Sequence, residues 1–168
     1  MLSVPKQELN GQFAMLPMDD VHFGSGSVGK LPGALEQYGV ERAVIITGNS
    51  LAQKTDLVER VESATGGRTA GVFFETSQHV PRESVIAATE FARSKNADAI
   101  ISFGGGTPND TAKAVIMCLA DGVTEPSGLD ALRIKFEYPD KVEIPSLSTD
   151  PVPMFAVPTT LSAGEFTF

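Results

Sequence analysis

The stretch Gly104-Gly-Gly-Thr-Pro-Asn-Asp-Thr-Ala-Lys joins an apolar run, Ala99 to Phe103, to a helical pattern that resumes after Thr107. Three residues without Cβ let a ligand's oxygen atoms come within hydrogen-bonding distance of the backbone. The first free N–H groups of the following helix point the same way. The ligand that suits such a loop is a phosphate. On this reading Thr107 caps the helix with its hydroxyl, Pro108 takes its first position and Asp110 lies in its first turn. Asp110 and Lys113, three residues apart, share one helix face. The plain alternative is a tight strand-to-helix turn that binds nothing. Three consecutive glycines carry an entropic cost, which favours close approach by a ligand. Neither common nucleotide fingerprint is present: Asn109 stands at the third glycine of the G-x-G-x-x-G pattern, and no Gly-Lys-Ser/Thr follows.

Other reactive residue types are sparse. Cys118 is the single cysteine, which excludes an intramolecular disulfide; on an apolar helix it reads as a packing residue in a reducing compartment. His22 and His79 are the two histidines, and neither is spaced as a metal ligand with a second His. His22 reads as a loop or core histidine. His79 stands at the carboxyl end of a strand, where contact with a cofactor or another domain competes with a plain loop role.

Composition narrows the function classes. A chain of 168 residues with 42% hydrophobic and 20% charged residues fits one soluble domain with a core of its own. The formal net charge of -8, with no local Lys/Arg cluster, excludes a nucleic-acid footprint. No apolar run approaches the length of a membrane span, and the amino terminus lacks a basic segment followed by an apolar one. The expectation is a cytoplasmic protein with no membrane and no nucleic-acid partner.

Several elements must hold the glycine loop. Residues 1 to 12 form an arm or short edge strand. Val28, Leu31, Leu35 and Tyr38 follow Gly24-Ser-Gly-Ser at helical spacing, with Pro32 in the first turn and Gly39 closing the helix. Arg42-Ala-Val-Ile-Ile-Thr-Gly-Asn-Ser is a buried parallel strand with its loop, and Leu51, Leu57, Val61 and Ala64 line one following helix that stops at Gly66-Gly67. Thr69 to Glu75 is the next strand, and Val85, Ala88, Thr89 and Ala92 mark another helix before the triple glycine. This alternation predicts an α/β, Rossmann-like parallel sheet with helices on both faces. Ligands of such sheets bind at the carboxyl ends of strands, which brings together the loops Thr47 to Ser50, Gln78 to Pro81 and Gly104 to Asn109. Residues 121–151 read as an irregular excursion with a hairpin around Tyr138-Pro-Asp-Lys, after which Pro153-Met-Phe-Ala-Val-Pro-Thr-Thr returns as a short strand.

Taken with Val157-Pro-Thr-Thr-Leu-Ser-Ala-Gly-Glu-Phe-Thr, the glycine motif resembles the iron-containing alcohol dehydrogenase family, whose pattern is Gly-Gly-Gly-Ser-x-x-Asp-x-Ala-Lys followed by a Pro-Thr-Thr segment. Phe23-Gly-Ser-Gly and the strand ending Ile-Thr-Gly-Asn fall where that family has its first loop and first nucleotide-binding strand. The resemblance runs from about Met18 onward.

It implies an amino-terminal domain, residues 1–168, that holds NAD or NADP. It also implies an oxidoreductase passing hydride between nicotinamide and a small alcohol, aldehyde or ketone. Carried over, Gly104, Gly105, Gly106 and Thr107 bind the pyrophosphate, Asp110 sits near the ribose and nicotinamide end, Thr159 and Thr160 contact the nucleotide, and Lys113 supports the loop. Gly48 takes the adenosine ribose position, and Asn49 with Ser50 can donate to a 2′-phosphate. The family's divalent metal, iron or zinc, is held by an Asp and three His of a helical carboxyl-terminal domain absent from this chain. The expectation is therefore no metal ligand, no catalytic residue and no turnover by these 168 residues alone. Asp110 and Glu165, the only acids in the two motif loops, are not assigned as bases.

Thr107 replaces the usual Ser and keeps its hydroxyl. Gly48 stands where many members have an Asp that grips the ribose, which predicts comparable NAD and NADP binding or a mild NADP preference. Leu161-Ser-Ala-Gly-Glu and His79-Val-Pro look more like the maleylacetate reductase branch. Dehydroquinate synthase and glycerol dehydrogenase are similar in this half, and a stand-alone nucleotide-binding module without catalysis is the alternative from another class. An uncovered domain interface predicts self-association, as a homo-oligomer.

Overall fold

The computed structural model describes residues 18–166; the expected arm at residues 1–12 lies outside them. A 3-10 turn, Ser27–Lys30, leads into helix α1, Leu31–Gln37, with Pro32 in its first turn. Gly39 ends it at φ +66°, a conformation open to glycine, while Val40 N–H closes back onto the Leu35 carbonyl.

Strand β1, Ala43–Thr47, is buried along its whole length. The reason is visible in its two sets of neighbours. Val44 and Ile46 pack on one side of the sheet and Ala43 and Ile45 on the other, each side in its own apolar cluster. A strand buried on both faces reads as a continuous apolar run.

The single helix expected over Leu51 to Ala64 is two: α2, Asn49–Lys54, and α3, Leu57–Ala64. Thr55 between them is extended, and its hydroxyl donates to the Leu51 carbonyl at 2.7 Å. A short polar side chain that bonds its own backbone offers an alternative to the helix ladder. Both parts keep their apolar residues inward, so the periodicity across the break looks uninterrupted.

Strand β2, Thr69–Phe73, is shorter than the stretch expected, and it is followed by α4, Arg82–Ser94, β3, Ala99–Gly104, and α5, Gly106–Ala120. Beyond α5 lie a short hairpin, β4 Lys135–Glu137 with β5 Lys141–Glu143, and then β6, Met154–Pro158. The main sheet has the order β2-β1-β3-β6, and all its neighbours are parallel. Helices α4 and α5 cover one face and α1 and α3 the other. This is the predicted Rossmann-like arrangement.

The segment after α5 is less loose than the sequence suggests. Val123 and Leu132 are buried in the α4/α5 cluster. Arg82 on α4 donates to the Pro126 carbonyl at 3.2 Å and pairs with Asp130 at 2.6 Å, while Arg93 reaches the Val123 carbonyl at 3.1 Å. Polar anchors from one helix thus fix a connection rich in proline. Among the described residues no helix is long and apolar enough to cross a membrane.

Candidate functional site

The chain leaves β1 for β2 on one side and enters β3 on the other, so the sheet order reverses between β1 and β3. At such a reversal the loops after the two strands part and leave a crevice at their carboxyl ends. The loops in question are Gly48-Asn49 and Gly104-Gly105-Gly106. The third expected loop, Gln78 to Pro81, follows the outermost strand β2. His79 there is exposed and takes φ +63°, and no hydrogen bond among the described residues ties it to the crevice.

Helix α5 begins two residues earlier than the sequence indicates, at Gly106 rather than Pro108, which corrects three expectations. Gly105 is its N-cap and makes no side-chain cap bond; Thr107 and Pro108 lie inside the first turn, and Asp110 falls beyond it. Thr107 therefore does not cap the helix, and its carbonyl instead accepts the Thr111 hydroxyl at 2.8 Å. The physical reason is glycine itself: without Cβ, Gly106 can enter helical geometry directly from the extended Gly105. Proline at the third helical position lacks an N–H, so the orphan donors of this terminus are those of Gly105, Gly106 and Thr107. No side chain satisfies them from the cap position.

Gly104 takes φ +146°, and a Cβ there would meet Pro108 Cγ at 2.8 Å. That position is open to glycine alone. At Gly105 the crowding comes from the chain rather than from a ligand: the place of a Cβ lies 3.0 Å from Thr160 Oγ1, and at Gly106 it lies 3.7 Å from Ser162 Cβ. The segment leaving β6 passes over the glycine loop. Thr159 N–H anchors it to the Gly104 carbonyl at 2.9 Å, which brings Thr159 and Thr160 to the loop as the motifs imply. Lys113 Nζ donates to the Gly164 carbonyl, so it braces this crossing segment rather than the glycines directly. Burial pushes the Lys113 ammonium below the usual lysine range, with Asp110 and Glu165 pulling the other way.

Two residues that the motif reading left aside belong to the same place. Asn109 is buried, its Oδ1 accepting the Ser102 hydroxyl at 2.9 Å, while its Nδ2 has no hydrogen-bond partner among the described residues. Thr47 Oγ1, at the carboxyl end of β1, and Glu165 Oε2 are likewise buried without one. Buried polar atoms left unpaired by the chain are uncommon and take a partner from outside it, water or a ligand. The signal in the sequence was Asn109 itself, a polar residue on the inward face of an apolar helix.

Gly48 is the N-cap of α2, with Asn49 first in that helix. A Cβ at Gly48 would have a single neighbour, Thr76 Oγ1 at 3.9 Å, so the glycine is not required by packing. Its backbone bridges that of Glu75, and the Thr76 hydroxyl donates to the Thr47 carbonyl at 2.9 Å. Glu75, exposed and bridged to Gly48 through its backbone, follows β2 at the same end of the sheet.

Free helix-terminal donors, a glycine cradle and an orphaned amide fit a pyrophosphate with its flanking ribose. A resident metal is not matched in the same way: among the described residues no three of His, Cys, Asp and Glu lie close enough to hold one.

Comparison with known proteins agrees with this geometry. The profile of a family described as iron-containing alcohol dehydrogenase matches residues 19–167. Maleylacetate reductase 2 of Cupriavidus pinatubonensis is 33% identical over 97 residues, covering 58% of this chain and 26% of the relative. The NAD-dependent methanol dehydrogenase of Bacillus methanolicus is 30% identical over 148 residues, covering 86% and 35%. The crystal structure of sulfoacetaldehyde reductase from Bifidobacterium kashiwanohense in complex with NAD+ superposes with a TM-score of 0.75 over 95% of this chain and 39% of that one, at 19% identity. At that identity the likeness speaks for the fold. The chain spans about a third of the length of the NAD-dependent methanol dehydrogenase it matches.

Proposed function

The chain belongs to the iron-containing alcohol dehydrogenase family, and from that premise we propose that it is the dinucleotide-holding part of an oxidoreductase acting on a small alcohol or carbonyl compound. The observation that carries this reading is the uncapped amino terminus of α5, set at the sheet reversal behind Gly104, Gly105 and Gly106. Its free N–H groups face an approaching pyrophosphate with the positive end of the helix dipole. Thr107 lies in the same turn. Thr159 and Thr160 close over the loop from β6, and Asp110 stands one turn further along.

Gly48 and Asn49 lie where the adenosine ribose would rest. Gly48 alone favours comparable binding or a mild NADP preference; we infer that the exposed Glu75, whose backbone bridges Gly48, takes over the role of the missing carboxylate and turns the choice toward NAD by repulsion of a 2′-phosphate. The NAD-dependent relative supports this side of the choice. When bound, the nicotinamide supplies hydride transfer; the residues here bind and orient the dinucleotide. A reducing, cytoplasmic setting suits the buried free Cys118.

The test is a fluorescence titration of the purified chain with NADH and NADPH. Binding that is lost in Gly105→Val and retained in a surface control such as Glu90→Gln is expected. Absence of binding to either dinucleotide, in a chain whose circular dichroism shows the α/β fold, would reject the reading.

A further inference from the structure

Residues 159–163 leave β6 as a strap over the glycine loop, and a short 3-10 turn, Gly164–Phe166, ends it. The two ends of the strap are held differently. At one, Thr159 N–H donates to the Gly104 carbonyl at 2.9 Å and continues the pairing of β6 with β3. At the other, the Gly164 carbonyl accepts from Lys113 Nζ, a donor on a flexible stem that can follow the turn. Between the two, Leu161 is fully exposed and Ala163 takes φ +58°, a left-handed conformation that a residue with a Cβ adopts only at a cost.

Beneath the Gly164 end lie two buried polar atoms of opposite kind. Asn109 Nδ2, on α5, is a donor without an acceptor among the described residues, and Glu165 Oε2, in the turn, is an acceptor without a donor. The Asn109 Oδ1 accepts the Ser102 hydroxyl at 2.9 Å, which leaves Nδ2 facing the turn. Gly164 lies directly against it: the place of a Cβ there is 2.9 Å from Asn109 Nδ2 and 3.3 Å from Asp110 Oδ1. Glu165 is the next residue, and its carboxylate and the Lys113 ammonium attract each other across the same turn. As the strap stands, each orphaned atom takes its partner from outside the chain. Yet each is what the other lacks.

We propose that Glu165 and Asn109 are a positioning pair that fastens the strap once a dinucleotide is seated, Glu165 Oε2 accepting from Asn109 Nδ2. This rests on the dinucleotide reading given above. Thr160 Oγ1 lies 3.0 Å from the place of a Cβ on Gly105, and Ser162 Oγ 3.8 Å from that on Gly106. A phosphate that reaches the free N–H groups of α5 therefore displaces the strap. Because Thr159 is tied into the sheet, the shift is taken up at Ala163 and the turn beyond it, where the left-handed strain is relieved. The turn then settles with its carboxylate on the Asn109 amide, a hydrogen bond to an ionised acceptor away from water. Thr160 and Ser162 are left fixed over the pyrophosphate. Neither Glu165 nor Asn109 touches the dinucleotide; both act through the strap.

Fluorescence titration of the purified chain with NADH tests this, together with Leu161→Cys carrying a maleimide-linked dye; the native Cys118 is buried and leaves the dye to position 161. Saturating NADH is expected to raise the anisotropy of the dye, and to leave it at its unliganded value when Glu165→Leu is added. Glu165→Leu removes the acceptor and lowers NADH affinity about tenfold, the size of one hydrogen bond to a charged group. Glu165→Gln keeps an acceptor and recovers most of that loss. Asn109→Asp sets a second carboxylate against Glu165 and weakens binding as well. Adding Glu165→Gln to it exchanges donor and acceptor and restores the affinity, a recovery that a merely structural role for either residue does not give. Should Asn109→Asp fail to fold, the Glu165 variants and the dye decide. NADH binding of equal strength in wild type and Glu165→Leu, or an anisotropy that saturating NADH does not move, overturns the proposal and leaves the dinucleotide reading standing. A folded chain that binds no NADH overturns both.

Discussion

Thr160 Oγ1 lies 3.0 Å from the place a Cβ on Gly105 would take, and the Thr160 methyl carbon lies 3.5 Å from it. The glycine loop is therefore covered closely by its own chain. A bulkier residue at position 105 strikes Thr160 first. Gly105→Val is expected to lower stability by about 1–3 kcal/mol through overpacking and to abolish dinucleotide binding. Combining it with Thr160→Ala, which removes both close atoms, should recover most of the stability and none of the binding. Denaturant midpoints with fluorescence titrations separate the two effects; a double variant that regains affinity would show that the loop has no steric need for glycine at that position.

Asn109 and Ser102 form a buried pair beneath the amino terminus of α5. Asn109→Ala leaves the Ser102 hydroxyl unsatisfied in the interior, which costs about 1–3 kcal/mol. The denaturation midpoint should fall with the slope unchanged. If Nδ2 serves the bound nucleotide, saturating NADH raises the melting temperature of the wild type by more than it raises that of Asn109→Ala. Equal increments would confine Asn109 to a structural role.

On the proposed reading, cofactor choice turns on Glu75, whose backbone bridges Gly48. Glu75→Gln removes a carboxylate from the ribose end while keeping size and polarity. NADPH affinity should rise relative to NADH by several-fold. Gly48→Asp, which has open space around it, should move the ratio the other way. Titrations with both dinucleotides give the ratio directly, and an unchanged ratio in both variants would place the 2′-phosphate elsewhere.

Acid should loosen the segment after α5 before the sheet. The Arg82 guanidinium hydrogen-bonded to Asp130 holds that carboxyl below the usual carboxylate range. A group whose value is lowered on folding contributes stability at pH above its unfolded value, about 3.9, and loses it as pH falls through the folded one. The gap in melting temperature between wild type and Asp130→Asn is thus expected to be present at neutral pH and to close below about pH 4. A gap that persists in acid would assign the effect to packing.

Much of this molecule follows from local sequence alone. The unbroken apolar run Ala43 to Ile46 can be satisfied by burial on both faces, and alternation with helical periods then requires a parallel sheet. Gly104-Gly-Gly before a helix placed the strand-to-helix loop, and the two motifs together placed the family. The hairpin at Tyr138-Pro-Asp-Lys was legible from its turn residues. What local sequence did not carry was anything decided by a partner far along the chain. The helix start shifted to Gly106 because glycine admits helical geometry before the Thr and Pro that signal it. The break at Thr55 left no mark on the apolar spacing, since both parts keep the same face inward. Thr160 over Gly105, Lys113 on Gly164 and Glu75 beside Gly48 join residues far apart along the chain. Only the closing of the sheet brings them together, because it is the parallel register that sets every carboxyl end on one edge.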